Sequence, residues 1–87
     1  MKPADLAEIL TRALNPGGGP PSLVVRLPEE ALDLTMKELN IDSLAQIEMI
    51  DAINRHYRIA ISDAEADALH TPRQVLDFVA VKLSKRR

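Results

Sequence analysis

Asp42-Ser43-Leu44-Ala45-Gln46-Ile47-Glu48-Met49-Ile50-Asp51-Ala52-Ile53-Asn54-Arg55-His56-Tyr57 is the stretch whose reading decides the fold. At about 100° per residue, Ala45, Met49, Ala52, Ile53 and Tyr57 fall in one sector of a helix and make an adequate core face. Leu44, Ile47, Glu48, Asp51 and Arg55 fall on the opposite side. Ser43-x-x-Gln46 fits a capping box, in which two side chains satisfy each other's orphan backbone donors. The spacing predicts a helix from about Ser43 to Tyr57.

The same start signal recurs downstream. Ser62-x-x-Glu65 and Thr71-x-x-Gln74 are both capping boxes, and Pro72 sits where a first helical turn tolerates proline. These predict a short helix from Ser62 to Leu69 and another from Pro72 to about Ser84. Val75, Leu76, Val79 and Leu83 give the last one its buried stripe. Thr35-x-x-Glu38 marks one further capped turn. Upstream, Leu6, Ile9, Leu10, Ala13 and Leu14 recur at helical spacing on a helix beginning near Pro3. Asn15-Pro16-Gly17-Gly18-Gly19-Pro20-Pro21 stops it. The connection from Asn15 to Leu34 is long for a compact domain. Leu23, Val24, Val25 and Leu27 have no evident partner strand, so they are expected to pin that loop onto the core. The fold class is all-α, a small four-helix bundle.

Composition narrows the function. Eighty-seven residues make one domain, 1–87, with a small core. There is no Cys, so no disulfide, thiolate zinc site or thiol nucleophile is available. No apolar run approaches the length of a membrane span, and the formal charge of −2 argues against a generic nucleic-acid binder. His56 and His70 are the only imidazoles and belong to different helices, a poor metal pair. The carboxylates of Asp63, Glu65 and Asp67 lack the glycine-bearing pattern of a calcium loop. Composition disfavours an enzyme, and the expectation is a non-catalytic chain without metal.

The near-neutral total hides an uneven distribution. Between Glu29 and Asp67 lie ten acidic residues against three basic ones, while the end carries Lys82, Lys85, Arg86 and Arg87. A one-signed region steers an opposite-signed partner. A solvated face kept charged for solubility is the plainer meaning of such a run. For Leu44 and Ile47 two readings compete as well. Either they tuck under the long loop or the third helix, or they are apolar anchors of a docking face rimmed by Glu48 and Asp51. Ser43 is either an N-cap or something more, and no imidazole stands where a hydrolase serine would need one.

Asp42-Ser43-Leu44 opening a helix, with Glu48 and Asp51 on its outer face, resembles the attachment motif of acyl carrier proteins. Leu32-Asp33-Leu34, Ile59-x-Ile61-Ser62-Asp63 and Thr71-Pro72-Arg73-Gln74-Val75-Leu76-Asp77-Phe78-Val79 fall at that family's spacing, so the resemblance covers nearly the whole chain. The family usually has glycine two residues before the aspartate. Asn40 stands there, the next most tolerant residue for a left-handed turn. The Thr71-Pro72-Arg73 start with Leu32-Asp33-Leu34 is most similar to the discrete carriers of type II aromatic polyketide synthases.

The resemblance implies a 4'-phosphopantetheine arm on Ser43, acyl cargo held as thioesters, and Asp42 helping to position the arm or its transferase. It implies Leu44, Ile47, Glu48 and Asp51 as recognition residues for a phosphopantetheinyl transferase, ketosynthase, acyltransferase and other pathway enzymes. It further implies a cytoplasmic monomer without nucleic-acid or membrane partners. A fatty acyl or aminoacyl cargo is the alternative within the class. A helical adaptor with Ser43 as a mere cap is the rival from another.

Overall fold

Proline and paired caps set where the helices start. The computed structural model describes residues 1–15, 17 and 23–85. It contains α1 (Pro3–Leu14), a 3-10 turn (Glu29–Ala31), α2 (Ser43–Tyr57), α3 (Asp63–Asp67) and α4 (Pro72–Ser84), with no strand among the described residues. Three of the four helices have the expected bounds. In α1, Pro3 takes the first position and Asp5 reaches back to accept from the Lys2 N–H at 2.9 Å. In α4, Thr71 Oγ1 accepts from Gln74 N–H at 3.2 Å while Gln74 Oε1 accepts from Thr71 N–H at 3.1 Å.

The third helix is shorter than the Ser62–Leu69 expected. Its Ser62/Glu65 box forms, but Ala68 and Leu69 bond back only three residues, to Glu65 and Ala66. The extended backbone of Thr71, set by its role as cap of a helix starting with proline, leaves no room for another α turn. Leu69 is spent on the core instead.

Leu6 and Leu10 from α1, Ala45, Met49 and Ile53 from α2, and Val75 and Val79 from α4 make one buried cluster. Leu76 and Leu83 flank it half-buried. Met36, Ile41, Ile61 and Leu69 complete the cluster from the connections. The loops therefore belong to the core, as their length required.

The first long connection is pinned in a way the apolar residues did not foretell. Val25 and Leu27 pack against the core, whereas Leu23 and Val24 are exposed. Polar groups of α1 do the holding. Asn15 Nδ2 donates to the Leu23 carbonyl at 2.6 Å, and Thr11 Oγ1 accepts from the Val25 N–H at 2.9 Å. These side chains satisfy backbone groups that have no strand partner. The Pro/Gly residues 16 and 18–21 lie outside the described residues, except Gly17.

The second part of the connection docks on α4. Arg73 Nε donates to Asp33 Oδ1 at 2.7 Å, its Nη2 donates to Glu29 Oε1 at 3.0 Å, and its backbone N–H donates to the Leu32 carbonyl at 2.9 Å. The two carboxylates raise the guanidinium pKa further above its ordinary range, so this clamp stays charged. Thr35 and Glu38 form the expected reciprocal box around one turn.

Two of these boxes make stability depend on acid. The Thr35 backbone N–H lowers the Glu38 carboxyl, and the Ser62 backbone N–H, then Lys82, lowers that of Glu65. A carboxyl whose folded pKa is depressed contributes stability above its unfolded value and loses it as pH falls through the folded one. The melting temperature is therefore expected to fall on acidification below the ordinary glutamate value of 4.5. Glu38→Gln with Glu65→Gln keeps an oxygen to cap with and should show a shallower decline. Parallel melting curves against pH for variant and wild type would refute this origin of acid sensitivity.

Candidate functional site

Two residues compete to cap α2, and Asp42 takes the place. Its backbone is extended and its Oδ1 accepts from the Ala45 N–H at 2.8 Å. The expected Ser43/Gln46 box does not form: the Gln46 N–H donates to the Asp42 carbonyl at 3.0 Å, and Gln46 Nε2 donates to the Ile41 carbonyl at 3.2 Å. Ser43 is the first helical residue, exposed, and its hydroxyl makes no hydrogen bond among the described residues. The N-cap reading of Ser43 is thereby overturned. A carboxylate already satisfies a first-turn donor, so the serine oxygen is left for other work.

The backbone just before this start turns sharply. Asn40 has φ 61°, the left-handed region that favours glycine and next asparagine. Ile41, one residue on, is buried, and its N–H donates to the Met36 carbonyl at 2.9 Å. A left-handed turn and an apolar plug thus lift Asp42 and Ser43 out of the core on the two residues that follow.

The outer face of α2 stands as the wheel placed it. Leu44 and Ile47 are each 65% exposed, so neither the loop nor α3 covers them. Asp51 is exposed beside them and Glu48 is half-buried. A groove of about 650 Å³ runs between α2 and the α3 segment. Ser43, Ile47 and Asp51 line it from α2, and Ile61, Asp63, Ala66, Asp67, Leu69 and His70 line it from the other side. A second groove, about 710 Å³, lies between α1 and α2 and takes in Glu48, Asp51 and His56. Asp51 therefore stands on the ridge between the two. Of the predicted recognition residues, Ile47 and Asp51 line the groove with Ser43, Leu44 is exposed beside it in sequence, and Glu48 lines the groove toward α1.

The α3 wall of the first groove was not foreseen. Asn54 builds it, accepting from the Ile61 N–H through Oδ1 at 2.9 Å and donating through Nδ2 to the Ile61 carbonyl at 3.3 Å. Its signal in the sequence is slight: one amide, half-buried in the structure, between Ile47 and Ile50 on the helical wheel. Lys82 Nζ closes the far side, donating to the Ala60 carbonyl at 3.0 Å and pairing with Glu65 at 3.1 Å. Among the described residues no cluster of three His, Cys, Asp or Glu is placed to hold a metal ion, and no helix is long and apolar enough to cross a membrane.

Ser43 is thus exposed where the groove begins, on the helix that carries the exposed Leu44 and Ile47. Residues 22–79 match the family described as "Phosphopantetheine attachment site". The chain belongs to this family of acyl carrier proteins. Its covalent cofactor is 4'-phosphopantetheine.

Relatives of the carrier agree along most of its length. It is 30% identical over 80 residues to the anthracycline acyl carrier protein DauA of Streptomyces sp. (strain C5), covering 92% of this chain and 88% of that one. It is 40% identical over 55 residues to the granaticin polyketide synthase acyl carrier protein of Streptomyces violaceoruber, 63% of this chain. That stretch spans 65% of the granaticin carrier's own length. The solution structure of the acetyl actinorhodin acyl carrier protein from Streptomyces coelicolor superimposes with a TM-score of 0.78. It is 26% identical, with 100% of this chain and 95% of that one covered.

Proposed function

We propose that this protein is the acyl carrier of a polyketide pathway, that Ser43 carries its 4'-phosphopantetheine, and that it performs no catalysis itself. The observation that carries the reading is the division of labour at the start of α2. Asp42 caps the helix through Ala45, and the Ser43 hydroxyl is exposed and unbonded among the described residues. The residues fit the group in two further ways. The unpaired N–H groups and dipole of a helix N-terminus favour a phosphodiester at that position. The groove that Ser43 opens onto offers Ile47, Ile50, Ile61 and Leu69 to the apolar part of a thioester chain. When bound, the arm supplies the thiol that a chain without cysteine lacks.

The carrier's own residues do three things. Asp42 holds the helix start rigid, so that Ser43 is delivered to a modifying enzyme at a fixed place. Leu44 and Ile47 offer an apolar anchor, and Glu48 and Asp51 a charged rim, to a transferase, ketosynthase or acyltransferase. The wall of α3 keeps part of the groove from water. Polyketide cargo is favoured over a fatty acyl or aminoacyl one by the likeness to the granaticin, anthracycline and actinorhodin carriers. We place it in the cytoplasm as a monomer, away from nucleic acid and membrane.

Intact mass after incubation with coenzyme A and a phosphopantetheinyl transferase tests the reading. The wild-type chain is expected to gain one phosphopantetheine. A wild-type chain that gains none returns the protein to the adaptor class.

A further inference from the structure

The groove between α2 and α3 is lined by an unequal set of charges. Asp51 faces it from α2, and Asp63 and Asp67 face it from the α3 segment. Gln74, on α4, contributes an uncharged amide to His70 rather than a charge. Among the described lining residues, His70 is the one side chain able to carry a positive charge.

Its position is fixed from both sides. The His70 N–H donates to Gln74 Oε1 at 2.7 Å, and its carbonyl accepts from the Met36 N–H at 2.9 Å. The Met36 carbonyl accepts in turn from Ile41, two residues before Ser43. This ladder ties the His70 backbone to the segment that delivers Ser43. The residue itself is exposed, and its imidazole makes no hydrogen bond among the described residues. Arg73 is engaged by Asp33 and Glu29, and Lys82 by Glu65 and the Ala60 carbonyl, and neither lines the groove.

We propose that His70 is an arm-binding residue, its imidazolium donating a hydrogen bond to the phosphodiester on Ser43. The proposal rests on the carrier reading above. A phosphodiester brings one negative charge to a groove that already holds three carboxylates, and His70 is the group there that can offset it. An imidazolium donates from both nitrogens, a neutral ring from one.

The chain provides its own control. His56 lies in the separate groove between α1 and α2, edge-on to the Tyr57 ring with centroids 4.8 Å apart. The experiment compares by NMR, at one fixed pH, the imidazole carbon-bound protons of the unmodified and the fully phosphopantetheinylated protein, and the phosphodiester phosphorus resonance of the loaded wild type with that of loaded His70→Gln. His70→Gln assigns the two resonances. The expected result is that the His70 resonances move on loading while those of His56 do not, and that the phosphorus resonance is displaced in His70→Gln. Unmoved His70 resonances in a loaded sample overturn the proposal, as does an equal movement at His56 or a phosphorus resonance indifferent to His70→Gln. A chain that takes up no arm overturns the carrier reading, and this assignment with it.

Discussion

Ser43→Ala is expected to take up no phosphopantetheine and to melt at the wild-type temperature, whereas Asp42→Ala is expected to lose about 1 kcal/mol of stability, the usual cost of losing an N-cap. The two substitutions separate roles that adjacent residues easily confuse. Were Ser43 the cap, its loss would unsettle the first turn of α2 and lower the melting temperature. The cap bond instead runs from the Ala45 N–H to Asp42 Oδ1, and the Ser43 hydroxyl bonds to no described residue. Removing that hydroxyl is therefore expected to cost attachment and not structure. Intact mass and thermal melting read the two effects independently. A Ser43→Ala chain that still gains the arm would place the attachment elsewhere. A Ser43→Ala chain that melts several degrees lower would return the serine to a structural role.

Local signals wrote most of this fold into the chain, and long-range ones wrote the rest. The bounds of α1, α2 and α4 follow from proline, side-chain caps and apolar spacing, all of which act within a turn or two. The end of α3 depends on Leu69 being drawn into the core and on Thr71 being extended for the next helix. The long connection is held by Thr11 and Asn15, whose partners lie 14 and 8 residues away. No pattern of spacing announces such pairs. The cap of α2 was hidden for a different reason, since Asp42 and Ser43 are both good caps and the Ser43/Gln46 spacing favours the wrong one.

The candidate site divides in the same way. The face of Leu44, Ile47, Glu48 and Asp51 is a property of one helix, and a wheel finds it. The groove needs a second wall, which exists because Asn54, Ile61 and Lys82 bring α3 back toward α2 and α4. His70 enters the site only through that wall. The sequence shows the imidazole but not what it faces.

Glu48→Lys combined with Asp51→Lys is expected to slow loading by a partner enzyme more than tenfold, with the melting temperature nearly unchanged. Of the acidic residues between Glu29 and Asp67, several are engaged inside the fold. Glu29 and Asp33 pair with Arg73, Glu65 with Lys82, and Glu38 and Asp42 serve as caps. Glu30, Glu48, Asp51, Asp63 and Asp67 form no ion pair among the described residues, and all of them but Glu30 line the two grooves that flank α2. The charge free to steer a partner is therefore concentrated where the apolar anchors are exposed. Each reversal adds two charges, so the formal total moves from −2 to +2 and the rim changes sign. Rim charges act mainly on association, so the loss should sit in the rate at low substrate and shrink as salt is added. Leu44→Ala should instead weaken binding at every salt concentration, because an apolar contact is not screened. Steady-state loading measured across a salt series distinguishes the two variants. Unchanged loading in the double reversal would show that partners grip this carrier elsewhere.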